Sequence, residues 1–253
     1  MNNKGQVTIF VIVALVLVVV VFAIIMLNRG KVSLREQDFD NPEKYIGSCI
    51  KDRANIIIEE MLSGGGFPDS NDTVFYNGEQ ITYLCRNINN FDPCINQYPL
   101  YVYQVEKEFN ENIEDDAEQC FSMLKQEFID RNYKLSDSGD VDLKAKFKPG
   151  IVEITLDVDF ALSKSDVSKK FSKFDTFVPS KIQSIGFVVN EIISQEAKWC
   201  YFSNDGFMVL YPEYDIRVYM MEDTTKIYTI KNKKTGETLK MATRGCALPA
   251  GLI

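Results

Sequence analysis

The chain contains no histidine. That absence removes the commonest general base near neutral pH, the Ser-His-Asp arrangement and most zinc sites. No two of its cysteines are spaced as C-x-x-C, so a thiolate zinc knuckle is excluded as well. There is no G-x-S-x-G turn, no phosphate-cradling Walker loop and no dinucleotide-binding glycine fingerprint. Its one glycine cluster, Gly64-Gly65-Gly66, follows a helical pattern instead of opening one, and so presents no helix N-terminus to a phosphate. Positive charge is in deficit: 28 Lys and Arg stand against 36 Asp and Glu, a net charge of −8 that leaves no basic face for nucleic acid.

Among what is present, residues 7–27 form an unbroken apolar run in which Thr8 is the single polar side chain. As a helix these residues span about 31 Å, the thickness of a bilayer's hydrocarbon core. They are apolar on every side, as lipid rather than a protein core requires. A cleaved secretory signal is the rival, but its apolar region is shorter and ends in small residues, whereas Met26-Leu27-Asn28-Arg29 follows here. The expected organisation is a leader (1–6), a transmembrane helix (7–27), a linker (28–41) and a domain (42–253). Roughly 220 residues follow the span, enough for one large or two small domains.

The flanking charges and three further features bear on which side of the membrane that domain occupies. Lys4 precedes the span and Arg29, Lys31 and Arg35 follow it, which taken alone favours a cytoplasmic domain. Against this stand six cysteines, all after the span, an even set suited to disulfides in an oxidising compartment. Six allow fifteen pairings. Those expected are Cys85 with Cys94 across a polar loop, Cys49 with Cys120 between helices, and Cys200 with Cys246 near the C-terminus. Cys120 lies on the apolar face of its helix, where a buried free thiol fits equally well. Asn71-Asp72-Thr73 is a glycosylation sequon, with Asn71 the candidate acceptor.

The third feature is Lys4-Gly5-Gln6-Val7-Thr8-Ile9-Phe10, running straight into the apolar run. It resembles the class III signal peptide of archaeal type IV pilins and related surface proteins. The resemblance implies cleavage between Gly5 and Gln6, retention of the helix, a cytoplasmic N-terminus and an outward-facing domain. In true pilins it further implies a helix that becomes the core of a filament. Many pilins carry glutamate at the fifth mature position, where this chain has Phe10. The remainder is similar to uncharacterised anchored surface proteins of small-genome archaea.

Within the domain, Asn41-Pro42 opens a helix carrying Ile46, Cys49, Ile50, Ile57 and Met61 at helical spacing, stopped by the glycine cluster. Residues 73–84 read as a hairpin about Asn77-Gly78, a type I′ pair. A long helix over about 100–133 shows Val105, Phe109, Ile113, Ala117, Cys120, Phe121, Leu124 and Phe128 on one face. Strict alternation then predicts strands at 141–147 and 152–162, a third at 171–178, and a helix from Pro179 to about Lys198. Further strands are expected at 207–210, 214–221, 226–230 and 238–243, with Lys233-Lys234-Thr235-Gly236 turning the last pair.

Blocks of strands and helices imply an α+β fold of antiparallel sheets packed with three helices. Two successive helix-then-strand blocks hint at a subdivision near residue 178. Glu111, Glu114, Asp115, Asp116 and Glu118 lack the spacing and central glycine of a calcium loop and read as a solvated helix face. Asp157 and Asp159 share one face of a strand on the wet side of a sheet, where carboxylates are ordinary. The expectation is a protein without catalytic residues, cofactor or metal. It would act in the membrane as a cell-surface structural or interaction protein, possible partners being lipid, copies of itself and other envelope proteins. The alternative is a membrane-tethered extracytoplasmic module that binds or senses a ligand, which a concave, aromatic-lined pocket would favour.

Overall fold

Asn41 stands in extended conformation, and its side chain accepts from the Lys44 backbone N–H at 3.3 Å. Pro42 fills the first helical position, where no donor is needed. Together they start α1 (Pro42–Ser63), which ends where Gly64 N–H reaches the Glu60 carbonyl at 3.1 Å. The computed structural model describes residue 17 and residues 41–164 and 167–246. The leader with Gly5 and Gln6, and the apolar run except the helical Leu17, lie outside the described residues. Among the described residues, no helix is long and apolar enough to cross a membrane. The chain divides into two units, Met1–Asp40 and Asn41–Ile253. The second contains four helices and nine strands among its described residues.

The hairpin forms as expected from β1 (Thr73–Tyr76) and β2 (Glu79–Arg86), with Asn77 at φ 50° and Gly78 at φ 89°. A two-residue β3 (Ile95–Asn96), unforeseen in the polar loop, pairs antiparallel with β2. The long amphipathic helix is α2 (Tyr101–Asp130), and all eight apolar positions of its predicted stripe are buried. It packs on a three-stranded antiparallel sheet of β4 (Lys134–Lys148), β5 (Ile151–Lys164) and β6 (Val167–Pro179), in that order. Phe109 meets Phe147, and Phe121 meets Phe160, edge to face. These strands outrun the expected spans because register shifts, between Asp137 and Val141 and between Asp157 and Phe160, let pairing continue past the strictly alternating segments.

Strand β4 is an edge, and α2 covers part of it. Asn110 accepts from Ala145 N–H at 2.7 Å and donates to the Ala145 carbonyl at 3.1 Å. Glu106 accepts from Phe147 N–H at 2.8 Å. Polar helix side chains thus occupy backbone groups that would otherwise invite another strand.

After α3 (Ile182–Trp199) the chain forms a short α4 (Asn204–Leu210), then β7 (Tyr214–Met220), β8 (Lys226–Asn232) and β9 (Thr238–Arg244). These join the hairpin in a second sheet of order β1-β2-β9-β8-β7, with β3 beside β2. The α+β class holds, with two corrections. The sheets are not wholly antiparallel, because β9 lies parallel to β2 with Tyr83 opposite Ala242. Everything between these strands in sequence serves as the long crossover that a parallel pair needs. Strands from before and after residue 178 therefore share one sheet.

The second correction concerns residues 207–210, expected as a strand. They belong to α4, so the domain has four helices and not three. A four-residue apolar run has no readable period, and here it has no strand partner: Val209 is 81 % exposed and Leu210 74 %.

Candidate functional site: an aromatic cleft

All six cysteines are paired as expected. Cys49–Cys120 ties α1 to α2 with Cα atoms 6.0 Å apart, Cys85–Cys94 closes the β2–β3 loop at 5.2 Å, and Cys200–Cys246 joins the end of α3 to the chain after β9 at 5.9 Å. Asn71 stands exposed in the bend before β1. Of the acidic residues singled out, three stand in surface ion pairs, Asp116 3.7 Å from Arg53, Glu111 3.0 Å from Lys107 and Asp159 2.8 Å from Lys170. Among the described residues no group of three His, Cys, Asp or Glu side chains is arranged to hold a metal.

The structure gathers a different set of residues. Helix α3 ends at Cys200, held at φ 53°, and the disulfide to Cys246 fixes where the chain leaves. The chain then doubles back through Phe202 and α4 and enters β7 at Tyr214. The outer face of α3, the helix α4 and the start of β7 bound an open cleft of about 660 Å³. Its walls are aromatic: Phe202, Phe207, Tyr211 and Tyr214, with Phe187 on the α3 side. The rings form a connected series, Phe207 lying 5.5 Å from Phe202, 4.6 Å from Tyr211 and 6.4 Å from Tyr214 between centroids. The size and apolar lining are those of a small-molecule site.

The polar groups of the cleft are few. Ser184, Gln195 and Ser203 contribute hydroxyl and amide groups, and Glu191 and Glu213 supply its only charges. Glu191 accepts from the Gln195 side-chain amide at 2.7 Å. Neither glutamate forms an ion pair with a described residue. Beyond the rim Trp199, Tyr201, Tyr219 and Met220 are also exposed, and β7, the edge of its sheet, pairs only with β8 among the described strands.

Phe202 also walls a second cavity of about 390 Å³, whose lining includes Glu196, Lys226 and Tyr228. Glu196 is fully buried. The Lys226 ammonium donates to both its carboxylate oxygens, at 2.9 and 2.8 Å, and to the Cys200 carbonyl at 2.6 Å. Tyr228 donates its hydroxyl to Glu196 Oε1. Burial, and secondarily the Glu196 charge, hold the Tyr228 phenol well above its ordinary value, so it remains a neutral donor. Each ammonium proton has an acceptor, so Lys226 is not a free nucleophile. The network pins the C-terminal end of α3, and with it the cleft wall, to β8.

None of the cleft residues was singled out from sequence. The available signal was the aromatic density of residues 199–214, obscured by reading part of that stretch as a strand. Compared with known proteins, the chain matches no family model, no curated protein and no solved structure.

Proposed function

We propose that this chain is a membrane-anchored surface protein whose domain is an extracytoplasmic binding module, with the α3–α4–β7 cleft as its working site. The observation that carries the reading is the cleft itself: a concave site lined by five aromatic residues, of which Phe187 and Tyr211 are exposed and Phe207 half-buried. A filament subunit has no need of such a cavity, whereas a binding module does. Support for the location comes from the three disulfides, which suit an oxidising compartment, and from the apolar residues 7–27, which suit a lipid-embedded anchor. The leader around Gly5 and Gln6 keeps a second reading in view, in which the same domain decorates a pilin-like filament.

The test is a ligand-detected NMR screen of chemically diverse small molecules against the full-length chain in maltoside micelles. The expected result is a set of weak binders lost in Phe207→Ala and kept in a variant changed outside the cleft lining, such as Lys144→Ala on β4. A screen whose binders are indifferent to Phe207, or which yields none, removes the binding reading.

A further inference from the structure

The ring-lined cleft also states the charge of what it would hold. Of the residues lining it, the two that carry charge are both carboxylates, and neither lysine nor arginine is among them. Some carboxylates elsewhere on the domain surface are matched by lysine, as Asp142 is with Lys144, Glu106 with Lys146, Glu153 with Lys148 and Asp175 with Lys173. Glu191 and Glu213 have no ion-pair partner among the described residues, so their charge is open to a ligand. They share their cavity with aromatic rings whose π faces attract positive charge. Both features complement the same ligand, and neither complements an anion.

Resting on the binding reading above, we propose that the cleft takes a small organic cation, an ammonium group carried on an apolar body. The body lies against Phe202, Phe207 and Tyr211, and the ammonium is held by Glu191 and Glu213. A cleft of about 660 Å³ accommodates such a molecule whole. The chain's net charge of −8 favours its approach over that of an anion.

Three ligands sharing one benzyl body separate the contributions: phenethylammonium, 2-phenylethanol and phenylacetate. They are titrated calorimetrically into the full-length chain in maltoside micelles, against a protein-free micelle blank. The ammonium should bind at least about fivefold tighter than the alcohol, within the range expected for a cation beside aromatic faces and carboxylates, and the acid should bind weakest. In Glu191→Gln/Glu213→Gln, both exposed or half-buried positions where the change is nearly isosteric, the ammonium should fall to the level of the alcohol while the melting temperature holds. Equal binding of ammonium and alcohol, or preference for the acid, overturns the cation assignment and leaves a cleft that binds apolar molecules. Binding of none of the three also overturns it, and the wider screen then decides the binding reading separately. An acetylated lysine amide peptide that binds more tightly than free phenethylammonium would assign the site to a protein side chain and overturn the small-molecule proposal.

Discussion

Replacing Lys226 by methionine should be among the most damaging single changes in the second sheet. The methionine matches the lysine stem but removes the ammonium, leaving Glu196 fully buried with only Tyr228 to answer its charge. Removing one member of a buried ion pair costs about 3–5 kcal/mol, because the remaining charge keeps its desolvation penalty without its partner. In a domain of this size each kcal/mol lowers the melting temperature by about 2–4 °C, so the expected drop is roughly 6–20 °C. Glu196→Gln/Lys226→Met removes both charges and should recover much of the loss. Urea unfolding with disulfides intact, run on wild type, the two single variants and the double, gives the coupling between the pair. The reasoning fails if Lys226→Met costs less than about 1 kcal/mol, or if the double variant simply sums the singles.

Cys49→Ala/Cys120→Ala opens a link spanning 71 residues and should lower stability by roughly 4 kcal/mol in the loop-entropy account, read from urea unfolding in which the slope rises because the unlinked denatured chain exposes more surface. At Gly66 the backbone has φ +95° and an added Cβ would lie 2.7 Å from both the Tyr101 hydroxyl and Val105 Cγ2. Gly66→Ala should therefore cost about 2–4 kcal/mol by combining backbone strain with overpacking, and a cost under 1 kcal/mol would place the turn elsewhere. Tyr101 and Tyr228 are both held above the ordinary tyrosine range, chiefly by burial. Up to about pH 10 they are neutral in folded and unfolded chains alike. Above it the unfolded chain releases protons that the folded chain keeps, so stability should fall by about 1.4 kcal/mol per pH unit for each. Tyr228→Phe should make the alkaline limb of a pH–stability curve shallower, and an unchanged slope would show that Tyr228 ionises freely in the fold.

Where side chains alternate or recur over many residues, the architecture was readable in advance. The α2 stripe, the Asn77-Gly78 turn and the inner face of β5 each rest on local periodicity or turn chemistry, whereas the three cysteine pairings, although found as expected, are one set of fifteen that sequence alone does not choose among. What could not be read depends on partners far apart in the chain. The parallel alignment of β9 on β2 is set by where a crossover of some 150 residues returns, and nothing within either strand encodes it. The short apolar run Phe207-Met208-Val209-Leu210 suits a strand or a helix equally. The run closes helical hydrogen bonds, Phe207 N–H to the Ser203 carbonyl and Tyr211 N–H to the Phe207 carbonyl, and has no partner among the described strands. The cleft was missed for the same reason: its aromatic walls come from α3, α4 and β7, and only the fold brings Phe187 near Tyr211 and Tyr214. Glu196 and Lys226 each look like ordinary surface charges in sequence and become a buried pair only when α3 lies on β8.

The account as a whole turns on a retained N-terminal helix carrying a disulfide-bonded domain on the far side of the membrane. An intact mass, taken without reduction on protein extracted from native membranes, tests this most directly. The account predicts a chain that has lost its first five residues, begins at Gln6, and gains six hydrogens when its three disulfides are reduced. A product beginning beyond residue 27, or one whose six cysteines are all alkylatable without reductant, contradicts it.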